Sequence, residues 1–393
     1  MLKVSMTARW SMLFIENSVE NSYFFSDSPL EAIYNWGDHH YKNSKEIITQ
    51  MFSPANHSTP AKPSRPAWYQ SIAKFENPNI LKSSWQIINT LIPYFFLWYV
   101  MVRAMQAGYP YWVILLLTIP AGLFMVRLFI LFHDCAHQSF FSSKRANQIF
   151  GYISGVLTFA AYEKWRASHW RHHATVADLD RRGSGDFWIM TKDEYLESSK
   201  WKRWVYRLAR NPFIVFGLGP IFIFLVYQRF PIWAQSKKER NSVYFTNLGI
   251  IGIVLLVSFV FGFRTYILIQ LPILFIGGIV GLWLFYIQHN FEGVYWSRHD
   301  DWDRMKAALE GSSFYKLPKV LQWFTGNIGY HHIHHVRPMI PNYKLEECSD
   351  SEPELQRIKP LTIRKSLLSL RLHLWDEINQ KLVSFRSLKK SEA

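Results

Sequence analysis

Cysteine is nearly missing from this chain: Cys135 and Cys348 are its only two. Two thiols cannot build a disulfide framework, and neither belongs to a Cys-x-x-Cys pair, so a reducing, cytoplasm-facing setting is expected. Acid is also in short supply. The 29 Asp and Glu against 44 Lys and Arg leave a formal charge of +15. A basic chain invites a nucleic-acid reading, but there is no zinc-finger, homeodomain or RNA-binding motif, and no nucleic-acid partner is expected. Residues 1–30 lack a clean apolar core after a basic start, so no secretory signal peptide is expected either.

What is present points to a bilayer. Hydrophobic residues make up 49% of the chain, and 17 Trp, 20 Tyr and 30 Phe give an aromatic content that suits membrane–water interfaces. Mean hydropathy near zero fits a few spans joined to a large water-facing part. Residues 1–66 read as a weakly structured extension closed by Pro54, Pro60, Pro63 and Pro66, within which Met51 offers an alternative start of translation. Apolar runs follow at 85–102 and 111–132, then at 244–262 and 266–288. Each is near the ~20 residues that cross a bilayer, and the short connections predict two helical hairpins. Residues 149–161 are too short to span. The run 212–228, broken by Pro212, Gly217, Gly219 and Pro220, is marginal and is read as re-entrant or interfacial. Arg127 is the odd residue inside the second run and receives no role. Lys and Arg crowd residues 138–211 and the chain from 298 onward, which by the positive-inside rule places the water-facing part and both termini in the cytoplasm. The expected fold is an all-α integral membrane protein with about four spans and a cytoplasmic helical cap. Its expected division is 67–345 as the membrane domain and 346–393 as a C-terminal tail.

Ten of the fifteen histidines gather in four places. His133-Asp-Cys-Ala-His137 puts two rings on one helical face where the second span should emerge. His169-Trp-Arg-His172-His173 offers H-x-x-H-H, and His331, His334 and His335 repeat it within His331-His332-Ile-His334-His335. His289 stands alone at the exit of the last span. A lone histidine is more often a satisfied polar residue than a ligand, and one H-x-x-x-H is a weak signal. Two H-x-x-H-H boxes are not: with 15 histidines in 393 residues, about 0.02 such boxes arise by chance. Metal binding is the expectation. The candidate ligands are too many for one ion and lack the cysteines of structural zinc sites, so they fit two ions with open positions. No regularly placed glutamates accompany them, unlike the soluble di-iron carboxylate bundles. Oxygen chemistry at open histidine sites favours iron.

The words HDCAHQSFF, WRASHWRHH and GNIGYHHIHH followed by PMIPNYKL resemble the membrane fatty acid desaturase superfamily, most closely its bacterial acyl-lipid members, over about residues 85–345. The resemblance implies iron ligands at His133, His137, His169, His172, His173, His331, His334 and His335, with His289 matching an extra histidine before the last box. His332 fits no ligand slot. Partners that could orient the ligand rings are Asp134, Asp178, Asp180, Asp186, Glu292 and Asn327. The resemblance further implies a bacterial plasma-membrane enzyme that uses two Fe2+ ions and O2 to place a cis double bond in a lipid-bound acyl chain held in an apolar tunnel. The chain has no haem-binding His-Pro-Gly-Gly segment and no nucleotide fingerprint, so an external donor of ferredoxin, flavodoxin or cytochrome type is expected, drawn to the basic face. The competing readings are a di-iron hydroxylase or ketolase acting on alkyl, sterol or carotenoid substrates, and a histidine-rich metal transporter. Transport predicts ionisable residues in mid-span, whereas these boxes lie outside the apolar runs.

Overall fold

Four apolar helices carry the architecture of the computed structural model, which describes residues 66–183 and 185–390. The extension expected over residues 1–66 lies outside the described residues but for Pro66. Helix α1 is Ile80–Gln106 and α2 is Tyr111–Ala136, and after an intervening cap region come α6, Lys237–Phe261, and α7, Phe263–His289. Each is long and apolar enough to cross a membrane. Helices α1 and α6 begin before the apolar runs of the sequence because polar caps, not hydropathy, set their starts. Asn79 accepts from the Lys82 N–H to start α1, and Ser236 accepts from the Glu239 N–H to start α6 seven residues before its apolar run. Between α6 and α7 the chain reverses on Gly262, whose φ of +88° is open to glycine and strained for other residues.

The two hairpins pack through α2 against α7, and small residues allow the approach. A Cβ built on Gly122 would lie 2.7 Å from Ile276 Cγ2 and 3.2 Å from the Gly277 nitrogen. Close backbone contact of this kind is how helices associate where lipid removes the hydrophobic drive. Because α1–α2 and α6–α7 are both antiparallel hairpins, the C-terminal ends of α2 and α7 come out on one side.

Three shorter helices complete the frame. Helix α3, Lys144–Leu157, is only 14 residues and does not reach span length; Ser143 caps it. Helix α4 is Tyr162–Thr175 and α5 is Lys200–Ala209. After α5 the chain bends by 58° into Ile214–Arg229, where widened turns at Ile214–Leu218 and Phe222–Val226 flank Pro220. This pair is a broken span or a re-entrant loop, so among the described residues four helices, or up to five, are long and apolar enough to span. The last box forms a short helix, α8, His331–Val336.

The all-α expectation needs one correction. Among the described residues there are five strands of two or three residues: β1, Met190–Thr191; β2, Phe314–Lys316; β3, Pro360–Thr362; β4, Leu374–Asp376; and β5, Lys381–Val383. β1 pairs parallel with β4 and β4 antiparallel with β5, while β2 and β3 pair parallel. Strands this short show no alternating pattern over enough residues to be read from sequence. They also tie down the region expected as a tail. Cys348 and Leu355 share a core with Ile72, Phe75, Ile333 and Ile340, and Trp375 and Leu382 pack with Leu179 and Trp296. Residues 346–388 are therefore part of the same compact unit as the spans.

Candidate metal centre

Four helix ends deliver the histidines. The i, i+4 spacing puts His133 and His137 on one side of the end of α2, where the His137 amide closes the last turn on the His133 carbonyl. The last two turns of α4 supply His169, His172 and His173, the final residue of α7 is His289, and α8 supplies His331, His334 and His335. All nine are buried, none more than 9% exposed.

The rings meet nitrogen to nitrogen in two groups. In the first, His169 Nε2 lies 3.0 Å from His133 Nε2 and 3.1 Å from His173 Nε2, and His334 Nε2 lies 3.0 Å from His173 Nε2. His137 completes it, with ring centroids 4.7 to 4.9 Å from those of His133, His169, His173 and His334 and neither ring nitrogen hydrogen-bonded. In the second, His289 Nε2 lies 3.1 Å from His172 Nε2 and 3.0 Å from His331 Nε2, which is 3.0 Å from His335 Nε2. The groups share a wall in which the His173 and His335 rings stack at 4.1 Å.

Burial, followed by the neighbouring imidazoles, holds His137, His169, His173, His331, His334 and His335 well below the usual histidine pKa. These rings are neutral at pH 7 and aim nitrogen lone pairs at common points, the arrangement a transition-metal ion takes up. The spacing fits as well. Two imidazole nitrogens about 2.1 Å from one ion and at right angles to each other stand about 3.0 Å apart. The buried nitrogens of His137 without a partner are explained in the same way, since uncompensated buried polar atoms are rare. With His133, His137, His169 and His334 within 4.8 Å of one another, and His172, His289, His331 and His335 likewise, the residues fit two ions.

Three contacts fix ring orientation. Asp134 Oδ1 lies 3.3 Å from His133 Nδ1, Asp186 Oδ1 lies 2.5 Å from His172 Nδ1, and the Gly311 carbonyl oxygen lies 2.9 Å from His289 Nδ1. Other candidates face elsewhere. Asp178 accepts from Arg181 Nε at 2.6 Å and sits 2.9 Å from His299 Nδ1, while Asp180 accepts from Arg298 Nη1 at 2.7 Å. Asn327, at φ +55°, donates to the Asn342 carbonyl, and Glu292 is exposed. His332 is buried against Phe314, its pKa pushed down to about 4 by burial, and joins neither group.

Asn342 is a residue the sequence reading missed. Its backbone N–H and Nδ2 both donate to Asp134 Oδ2, at 2.7 and 2.8 Å. It lies in PMIPNYKL, which had served only as a flanking word. Trp165, stacked 4.4 Å over His169, was also missed, and the Gly311 carbonyl leaves no trace in a sequence. An apolar cavity of about 240 Å³ lies among α1, α3, α6 and α7. Gln270 in its wall precedes His289 by 19 residues, about 28 Å of helix.

The fatty acid desaturase family model matches residues 107–364. A fatty acid desaturase of Bacillus subtilis is 47% identical over 320 residues, which cover 81% of this chain and 90% of that protein. An sn-1 acyl-lipid omega-3 desaturase (ferredoxin) of Synechocystis sp. is 26% identical over 253 residues, 61% of this chain and 66% of its own. An sn-1 oleoyl-lipid 12-desaturase of Picosynechococcus sp. is 25% identical over 259 residues, 62% of this chain and 70% of its own. These relatives favour desaturation over hydroxylation and over metal transport. The chain belongs to the fatty acid desaturase family, enzymes that use O2 to put double bonds into fatty acyl chains.

Proposed function

We propose that this desaturase acts on lipid-bound acyl chains at a di-iron centre whose ligands are His133, His137, His169, His173 and His334 for one ion and His172, His289, His331 and His335 for the other. The observation that carries the reading is the convergence of eight buried rings into two groups of four, with His173 set against His169 and His334 of the first and stacked on His335 of the second. With a six-coordinate preference, five and four imidazoles leave positions free for oxygen.

The chemistry asked of the site is removal of two hydrogens from adjacent unactivated methylenes, beyond any side-chain acid or base. Bound iron with O2 supplies that oxidising power. Overall, two hydrogens leave the acyl chain, two electrons and two protons arrive, and O2 becomes two waters. The protein's part is to bind and to orient. Asp134 and Asp186 hold the His133 and His172 rings by their outer nitrogens, so the inner nitrogens stay unprotonated and aimed inward. Burial of every ligand excludes bulk water from the oxidising centre.

Electrons come from a soluble donor of ferredoxin, flavodoxin or cytochrome type, in keeping with the ferredoxin printed in the name of the Synechocystis relative. The proposed placement is a bacterial plasma membrane with histidines and termini on the cytoplasmic side; the basic residues around the boxes, read by the positive-inside rule, and the shared exit side of α2 and α7 support it.

The test is expression in a host lacking such an enzyme, with gas chromatography–mass spectrometry of derivatised fatty acids and iron analysis of the purified protein. A new double bond with about two irons per chain is expected. Hydroxylated chains without new double bonds, or an active protein free of iron, would reject the reading. His172→Ala is expected to abolish the product while leaving the protein in the membrane.

A further inference from the structure

A second cavity, of about 490 Å³, opens between the first turns of α1, the later half of α2 and the chain on either side of the last histidine box. Its wall carries three cations, Lys82, Arg127 and Lys319, and one carboxylate, Glu346. That carboxylate is already engaged, by Lys319 Nζ and by the Tyr330 hydroxyl. Arg127 and Lys82 pair with no carboxylate among the described residues. Arg127 Nε donates to Thr90 Oγ1 at 3.1 Å, its Nη1 donates to the Trp323 carbonyl, and the guanidinium lies 3.9 Å from the Trp323 ring centroid. Lys82 Nζ is 5.9 Å from the Tyr343 ring centroid. Arg127 is only 2% exposed. The partners named for Arg127 are all neutral, so its charge at this depth is left without an opposite one.

Depth narrows the anion. Lys82 lies in the first turn of α1, and Asn89 seven residues later is about 10 Å further in. Arg127 precedes His133 by six residues, about 9 Å along α2. Both measurements place the cavity at the histidine end of the bundle, where lipid head groups give way to acyl chains. Trp85, 63% exposed, stands at its rim as interfacial tryptophans do.

We propose that this cavity holds the phosphate of a glycerophospholipid, the molecule whose acyl chain is then desaturated; this rests on the acyl-lipid reading above. Arg127 and Lys82 meet the phosphate oxygens with charge-assisted hydrogen bonds. The Asn89 Oδ1, buried without a donor, accepts from a head-group hydroxyl. The wall is also wired to the metal centre. Gln86 exchanges two hydrogen bonds with Asn342, at 2.8 and 3.1 Å, and Asn342 Nδ2 donates to Asp134 Oδ2, whose partner oxygen faces His133. Three side chains thus join the head-group cavity to a ligand ring.

The test uses iron-loaded full-length protein in nanodiscs and native mass spectrometry. Retention of a saturated phosphatidylglycerol is compared with that of a glucosyl diacylglycerol bearing the same chains and no phosphate. The phospholipid is expected to be retained at least tenfold better, and Arg127→Gln and Lys82→Gln are each expected to erase most of that preference with iron content unchanged. Lys82 is exposed, so its variant reports on binding even where the buried Arg127 variant misfolds. Equal retention of the glycolipid, or an unaltered preference in Lys82→Gln, overturns the site. Displacement of the lipid by millimolar inorganic phosphate overturns the lipid as its source. A single turnover started with dithionite and O2 then assigns the occupant. A new double bond in the retained phospholipid is expected. A retained lipid left saturated while bulk lipid is desaturated overturns the substrate role alone, and no desaturation anywhere rejects the underlying enzyme reading.

Discussion

His172 Nε2 and His289 Nε2 lie 3.1 Å apart although the residues are 117 positions apart in the chain. One comes from α4 in the cap region and the other from the last residue of α7, so their meeting welds the cap to the second hairpin. His289 belongs to no box, and its place beside His172, His331 and His335 is what proposes it as a fourth nitrogen for the second ion. His289→Ala is expected to lower bound iron from about two to about one per chain and to abolish the unsaturated product. Metal analysis of the purified variant decides it; two irons with full activity would remove His289 from the ligand set.

Asp186 holds another proposed ligand of that ion, His172, by its Nδ1. Removing the acceptor frees the ring to rotate and weakens its lone pair, and losses of this type run about 10–100-fold in metal affinity or activity. Asp186→Ala is expected to need that much more Fe2+ for half-maximal activity. Asp186→Asn, which keeps an acceptor oxygen but loses the charge, is expected to fall between. An unchanged iron titration in Asp186→Ala would show that His172 needs no holder.

Asp186 and Asp134 also show how far the sequence could be read. Both were credible partners because they lie near boxes, but so were Asp178 and Asp180, and nothing in the order of residues says which carboxylate turns inward. Arg181, Arg298 and His299 claim the latter two, and the pairings with Arg298 and His299 depend on a loop crossing from residue 298. Regular spacing was legible. The boxes and the four spans appear because helical periodicity and bilayer thickness act on contiguous residues. What stayed hidden was made by long-range packing: Asn342 under Asp134, the Gly311 carbonyl under His289, and the two- and three-residue strands that bind the C-terminal segment to the core.

That C-terminal packing carries a pH signature. His373 stacks on Phe385 at 4.4 Å and its pKa is lowered to about 4, by burial first and then by Arg210. Unfolded, the ring titrates near 6.5. The folded protein therefore binds fewer protons than the unfolded chain below that value. His373 costs nothing above about pH 6.5 and destabilises increasingly as pH falls toward 4, by at most about 1.4 kcal/mol per unit. His373→Gln is expected to lose less thermal stability than the wild type between pH 7 and pH 5. Parallel melting curves would refute the assignment.

The α2–α7 contact gives the last prediction, because it ties packing between two apolar helices to the placement of the histidines at their ends. A methyl group on Gly122 would sit 2.7 Å from Ile276 Cγ2 and 3.0 Å from its Cβ, and behind it stands backbone at Gly277, so rotation of one side chain does not clear the clash. The helices must part. Overpacking of this kind typically costs about 1–3 kcal/mol. Because the last turn of α2 carries His133 and α7 ends in His289, parting them pulls proposed ligands of the two ions away from those that α4 and α8 supply. Gly122→Ala is expected to lower both the melting temperature in detergent and the iron content. Gly252→Ala on α6, where an added methyl meets nothing within 4 Å, is expected to change neither. A Gly122→Ala protein that melts lower but keeps two irons would show that the four helix ends are held together by the cap rather than by the spans.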